Sequence, residues 1–271
     1  MFLMAIISLI TDFGVQDEYV GVMKAVILGI DPAAVPVDVS HAVEPQDIVQ
    51  AAFLLEASYR YFPQGSIHLV VVDPGVGTRR SLLYAEADGH RFLAPDNGVL
   101  SLLLDPPVGA TLRRLENPMP RRSRVSATFH GRDILAPCAA HLSRGIDAQE
   151  LGPELKPFEA TLLAGLRAER LPDGSIVGRI VHIDRFGNLV TNVAAALLPP
   201  GEAPAGRPPV AVRLAGMRIS GIRRTYADEE SGRPLALVGS RGYLEIAVNG
   251  ASAQRFFDAR KGDAVEVRFY D

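Results

Sequence analysis

Four short stretches of the chain set ionisable side chains beside glycine: Thr11-Asp12-Phe13-Gly14, the run VVDPGVGTRR from Val71 to Arg80, Phe129-His130-Gly131-Arg132-Asp133, and Ile183-Asp184-Arg185-Phe186-Gly187-Asn188. Charged groups at strand ends, next to residues that let a ligand approach the backbone, are what a site for a small polar molecule requires. Asp12 can accept two hydrogen bonds from a sugar diol, and it can equally cap a turn or a helix. Asp73 and Arg80 are separated by a turn containing Gly75 and Gly77. That spacing suits a loop ion pair as well as a charged pair facing a ligand, and Arg79 leaves the choice of arginine open. His130 is predicted where the strand-like VSATF meets a helix, whose positive end disfavours imidazolium and keeps the ring neutral. As a lone histidine it fits a structural role too.

Other chemistries lack their signatures. No GK[ST] follows the glycine turn and no GxSxG elbow occurs, so neither a P-loop nor a serine hydrolase is indicated. No histidine pair has helical ligand spacing and no Cys/His cluster occurs, so no metal site is predicted. His41, His68, His90, His141 and His182 are read as structural. The single cysteine, Cys138, precludes an intramolecular disulfide and sits in an apolar run, as a small buried side chain does. Lys and Arg number 28 against 31 Asp and Glu, a near balance that gives no reason to expect nucleic acid. Arg121, Arg122 and Arg124 read as a solvated loop. The opening MFLMAIISLITDFG is short, lacks a basic leader and reads as a first core strand rather than a signal peptide. No apolar run reaches bilayer-spanning length, so a soluble, cytoplasmic protein without membrane contact is expected.

The elements that must position these groups follow from periodicity. Ile6–Ile10 is continuously apolar, as a strand buried on both faces is; Glu18–Ile30 carries Val20, Met23, Ile27 and Ile30 at helical spacing. Val35–Val39 is a second strand, Pro45–Tyr61 a helix opened by Pro45, and Ile67–Val72 a third strand. This alternation predicts an α/β fold with a mostly parallel sheet flanked by helices. Gly131–Ser143 is predicted helical with a kink at Pro137. The pattern changes over the turn-rich stretch Pro153–Asp173. Beyond it the short runs GRIVHID, PVAVRLAG, GYLEIAVNG and AVEVRFYD predict a small antiparallel β-barrel or sandwich, with Pro199–Pro209 as a surface connection. The expected domains are therefore 1–160, α/β, and 161–271, β-barrel.

The quoted stretches, in this order from about Ile6 to Asn249, resemble the S-adenosyl-L-methionine (SAM) hydroxide adenosyltransferases, adenosine-forming SAM hydrolases related to fluorinating and chlorinating enzymes. The resemblance implies hydrolysis of SAM to adenosine and L-methionine by in-line attack of water on ribose C5′, with no cofactor. It implies Asp73, Arg80 and His130 as the catalytic trio and Asp12 on the ribose hydroxyls. It implies Asp184, Phe186 and Asn188 on the methionine part, and Tyr226, Ser240, Arg241 and Asn249 on adenine and the methionine carboxylate. It further implies a homotrimer whose pocket forms between one subunit's first domain and its neighbour's second. Two alternatives remain open: a halogenase using the same pocket, and a SAM- or adenosine-binding protein without turnover. The Phe129-His130-Gly131 stretch and the compact segment 95–120 resemble the hydrolase branch.

Overall fold

The first strands are apolar on both faces because two layers of helix cover them. β1 (Ile6–Thr11) pairs in parallel with β2 (Val35–Ser40) and with β3 (Ile67–Val71). Alternate side chains then enter separate cores: Ile7, Leu9, Ile67 and Leu69 on one side, Ile10, Val70 and Val72 on the other. The first core is closed by α1 (Tyr19–Ile30), which buries Met23 and Ile27, and the second by α2 (Ile48–Ser58), which buries Ala51, Ala52 and Leu55. Truncating a side chain as enclosed as Ile27 to alanine costs about 2–5 kcal/mol. Asp47, not Pro45, opens α2: its carboxylate accepts a hydrogen bond from the Gln50 amide at 2.8 Å.

The computed structural model describes residues 5–104, 109–116, 124–198 and 210–269. Arg121, Arg122, the Pro199–Pro209 loop and parts of the segment 95–120 lie outside them. The chain divides into two compact units, 1–164 and 165–271.

In the first unit β4 (Leu82–Ala87), β5 (His90–Pro95), β6 (Thr111–Arg114) and β7 (Glu154–Leu155) complete a seven-stranded sheet of order β2-β1-β3-β5-β4-β6-β7. The β3–β5 pairing is parallel, whereas β4 pairs antiparallel with β5 and β6, and β6 with β7. The α/β expectation holds, with an antiparallel half that the strand–helix alternation did not reveal. A short α3 (Ser101–Leu104) precedes β6, and α4 (Ala136–Ser143) packs Ala136, Ala139 and Ala140 into the first core. The residues before α4 form a wide π turn, Gly131–Leu135, closed by the Ala136 amide on the Gly131 carbonyl. Pro137 sits in the first turn of α4, and the helix irregularity is the π turn immediately before it, which contains Asp133, the residue four positions upstream whose carbonyl a proline cannot bond. Nor is VSATF a strand. The Ser126 amide donates to the Asp133 carboxylate at 2.8 Å instead of to a sheet partner.

The second unit is antiparallel, as expected from its short punctuated runs. Its strands are β8 (Glu169–Arg170), β9 (Ile176–Ile183), β10 (Leu189–Ala194), β11 (Val210–Leu214), β12 (Met217–Ser220), β13 (Pro234–Val238), β14 (Tyr243–Val248) and β15 (Ala264–Phe269). They run in the order β12-β11-β15-β9-β10-β14-β13, with β8 beside β9. A bridge between Arg223 and Leu237 ties the segment after β12 to β13 and nearly closes the barrel. Its core holds Ile180, Leu189, Val212, Leu244, Ile246 and Val267, with Phe257 of α5 (Ala253–Phe257) packed into it.

Candidate active site

In the first unit, three predicted residues meet beyond the ends of β1 and β3. Asp73 lies two residues past β3, and successive turns then reverse the chain: the Val76 amide donates to the Asp73 carbonyl at 3.2 Å and the Thr78 amide to the Gly75 carbonyl at 3.1 Å. Gly77 is required here. Its φ is +78°, and a Cβ would lie 2.3 Å from the Ala127 carbonyl oxygen, so only glycine lets this turn touch the loop that carries His130. The reversal returns Arg80 to Asp73. Arg80 Nε donates to Asp73 Oδ1 at 2.7 Å and Nη2 donates to Oδ2. The pair is nearly enclosed, at 10% and 6% side-chain exposure, so it is held tightly rather than screened. Arg79, by contrast, is exposed.

Arg80 Nη2 also reaches His130 Nδ1 at 2.9 Å. A guanidinium has no acceptor, so Nδ1 accepts and the neutral ring carries its proton on Nε2. Burial, and next the Arg80 charge, hold the His130 pKa below its ordinary value, while Asp73 and Asp133 oppose the shift. The loop before His130 is fixed by Asp133, which is fully buried and accepts from Arg132 Nε and Nη2, each at 2.7 Å, besides the Ser126 amide.

Asp12 follows β1, and its Oδ2 accepts from the Gln46 amide at 2.8 Å, leaving most of the carboxylate free. Phe129 packs edge-on against Phe13 at 5.6 Å and Tyr19 at 5.3 Å, joining the Asp12 and His130 loops through an aromatic cluster that the sequence reading missed. His68 and His90 lie in a buried chain: Ser8 Oγ is 2.7 Å from His68 Nδ1, and His68 Nε2 is 3.2 Å from His90 Nδ1. His41 Nδ1 lies 2.9 Å from Thr11 Oγ1.

In the second unit a pocket of about 700 Å³ gathers Asp184, Phe186, Asn188, Tyr226, Ser240 and Arg241. Asp184 closes the β9–β10 turn: its Oδ1 accepts from the Phe186 amide at 2.8 Å and the Asn188 amide at 2.9 Å, and its Oδ2 from Asn188 Nδ2 at 3.0 Å. Phe186 is thereby left 78% exposed beside the opening. Ser240 and Arg241 lie on the β13–β14 hairpin, and the buried Nη1 of Arg241 finds no partner among the described residues. Asn249 does not line the pocket; its Nδ2 donates to the Glu229 carbonyl at 2.7 Å and braces the segment that carries Tyr226. The pocket also contains Glu245, which the sequence reading overlooked although it is the lone charge in the apolar run YLEIAV. Glu245 Oε1 accepts from the Tyr226 hydroxyl at 2.6 Å. Burial raises the Glu245 pKa and the Asp184 charge adds to the rise; the Tyr226 bond and Arg241 oppose it. Among the described residues, no three His, Cys, Asp or Glu side chains gather as a metal site. None of their helices is long and apolar enough to cross a membrane.

An α/β unit with a charged trio past its parallel strand ends, followed by an antiparallel barrel with a polar pocket, defines a two-part small-molecule protein. Residues 7–152 match the SAM hydroxide adenosyltransferase N-terminal domain and residues 178–266 the corresponding C-terminal domain. The chain belongs to the SAM hydroxide adenosyltransferase family. It is 39% identical to the (R)-S-adenosyl-L-methionine hydrolase of Thermus thermophilus over 95% of this chain and 97% of that protein. A fluorinase from Nocardia brasiliensis is 27% identical over 97% of this chain and 96% of its own. The crystal structure of an uncharacterized conserved protein from Thermotoga maritima superposes with a TM-score of 0.87 at 33% identity, covering 97% of this chain and 99% of that one.

Proposed function

We propose that this protein hydrolyses SAM to adenosine and L-methionine by in-line attack of water on ribose C5′. The observation that carries the reading is the linked Asp73–Arg80–His130 network, in a chain of this family. The sulfonium leaves as a neutral thioether, so the protein has only to orient water, carbon and sulfur and to take up one proton. With Nδ1 committed to Arg80, His130 presents Nε2–H to the water oxygen. Asp73 keeps two lone pairs after accepting from Arg80, which makes it the trio's proton acceptor. Asp12 holds the ribose diol. The barrel pocket takes the rest of the substrate: Arg241 and Ser240 bind the carboxylate, Asp184 and Asn188 the amino-acid end, and Phe186 and Tyr226 its apolar and aromatic surfaces.

We assign the reacting groups and Asp12 to a domain 1–160 and the other recognition groups to a domain 161–271. The complete site forms between neighbouring subunits of a homotrimer, a proposal that rests on the family resemblance. Light scattering is expected to give a trimer, and a fully active monomer would contradict it.

Incubation with SAM, in the presence of chelator, is expected to yield adenosine and methionine in equal amounts. In oxygen-18 water the label enters the 5′-hydroxyl, and saturating chloride or fluoride leaves the products unchanged. Accumulation of 5′-halo-5′-deoxyadenosine would replace water by halide as nucleophile. Formation of S-adenosylhomocysteine or methylthioadenosine would overturn the reaction class.

A further inference from the structure

The barrel pocket holds two carboxylates, and their remaining hydrogen-bonding capacity is very unequal. Asp184 has already accepted three bonds from its own turn. A carboxylate has about four lone-pair sites, so Asp184 has about one left. An ammonium group brings three donors and needs more than that. Glu245 has accepted one bond, from Tyr226, and its other oxygen lies under the hairpin that presents Ser240 and Arg241. A Cβ on Gly239 would come within 2.7 Å of that oxygen, so the residue at 239 leaves room for it. Glu245 is only 7% exposed. A carboxylate so enclosed, with one neutral donor, is costly to keep charged unless a cation completes its shell. Arg241 is the pocket's cation, and no hydrogen bond joins it to Glu245 among the described residues.

From this inventory we infer that Glu245 is a further substrate-recognition residue, which with Asp184 receives the α-ammonium group of the methionine moiety. The inference rests on the proposed reading of the pocket as the methionine and adenine site. It gives the pocket a complementary pattern: two carboxylates facing an ammonium, and the Arg241 guanidinium facing a carboxylate. Selectivity for an intact amino acid then arises from Glu245 as much as from the turn at Asp184. Tyr226 acts on the same group, since its hydroxyl fixes one Glu245 oxygen and leaves the other for the ligand.

The test uses L-methionine, its desamino analogue 4-(methylthio)butanoate, and adenosine, each titrated calorimetrically into the full-length protein. Glu245→Gln keeps an acceptor for Tyr226 and removes the charge. It is expected to weaken L-methionine about ten- to hundred-fold, and to leave the desamino analogue and adenosine within about twofold of wild type. Equal weakening of all three ligands would make Glu245 a scaffold residue and overturn the inference, as would unchanged L-methionine binding; either result leaves the pocket reading standing. If the wild-type protein bound neither L-methionine nor adenosine, the pocket reading would fall and the inference with it. Asp184→Asn supplies a second arm that leaves Glu245 untouched. That variant is expected to retain at least about a fivefold preference for L-methionine over the desamino analogue, and complete loss of the preference would overturn the role of Glu245.

Discussion

The trio of the first unit and the pocket of the second handle charge in opposite ways. Asp73, Arg80 and His130 satisfy one another: the guanidinium bridges the carboxylate and the ring, and the arrangement is closed before any ligand arrives. In the barrel pocket, Arg241 Nη1 has no partner among the described residues and Glu245 has a single one. On the proposed function, the difference separates two tasks. A group that must direct a water during a substitution gains from being locked in advance. A group that must recognise a charged ligand keeps its bonding capacity open until the ligand supplies the partner.

This contrast is open to direct attack. Breaking the closed network has the largest expected effect. Asp73→Asn removes the proposed proton acceptor and leaves Arg80 unmatched, so kcat is expected to fall by about a thousandfold or more. The fold is expected to lose on the order of 3 kcal/mol, because a nearly buried ion pair loses one charge. Urea titration measures the second effect and keeps it apart from the first.

His130→Ala is expected to lower kcat by about a hundredfold while SAM binding, followed by calorimetry, changes little. Full activity in that variant would return His130 to a structural role. The wild-type pH profile carries the same information. The His130 pKa is held below its ordinary value, so the ring stays neutral near pH 7 and takes a proton only in acid. Protonation at Nδ1 expels the Arg80 donor, so kcat/KM is expected to fall as pH drops through that lowered value and to be unaffected by this group above it. Stability has the same sign. The unfolded chain binds the proton at higher pH than the folded one, so stability is lost as pH falls below about 6.5.

In the open pocket the expected effects are smaller and fall on binding. Arg241→Ala is expected to raise KM about ten- to hundred-fold and to lower kcat far less, since it removes an interaction shared by substrate and transition state. A kcat loss comparable to that of His130→Ala would erase the distinction between the two regions. The smallest effect is expected for Asn249→Ala. That side chain braces Glu229 rather than lining the pocket, so adenosine affinity is expected to change by about threefold or less, with about 1 kcal/mol of stability lost. A loss of adenosine binding beyond tenfold would make Asn249 a ligand contact after all.

Much of this was legible in the sequence because local patterns carry it. The two-sided apolar runs of β1 and β3, the helical stripe Val20–Met23–Ile27 and the short alternating strands of the second unit announced an α/β unit and an antiparallel barrel. The glycine-flanked motifs named the polar groups, but on spacing alone Arg79 and Arg80 were equivalent and His130 had no partner. The antiparallel edge from β4 to β7 was not legible, since its strands pair through contacts that leave no local period. Glu245 was passed over because one acidic residue in an apolar strand looks like a solvent-facing position. Its burial depends on neighbours from β10, the Tyr226 turn and the β13–β14 hairpin.

By itself, then, the sequence determined which chemical groups this protein possesses, many of the strands and helices beside them, and which family it belongs to. The groups and elements follow from residue type and short-range periodicity, and the family from the resemblance of the ordered motifs, which the family-model matches bear out. Only the tertiary structure decided which nitrogen of His130 holds its proton, which arginine meets Asp73, how much bonding capacity Asp184 has left and that Glu245 is enclosed. Each of these depends on atoms from segments distant in sequence meeting within hydrogen-bonding distance, and that proximity exists only after the chain has folded.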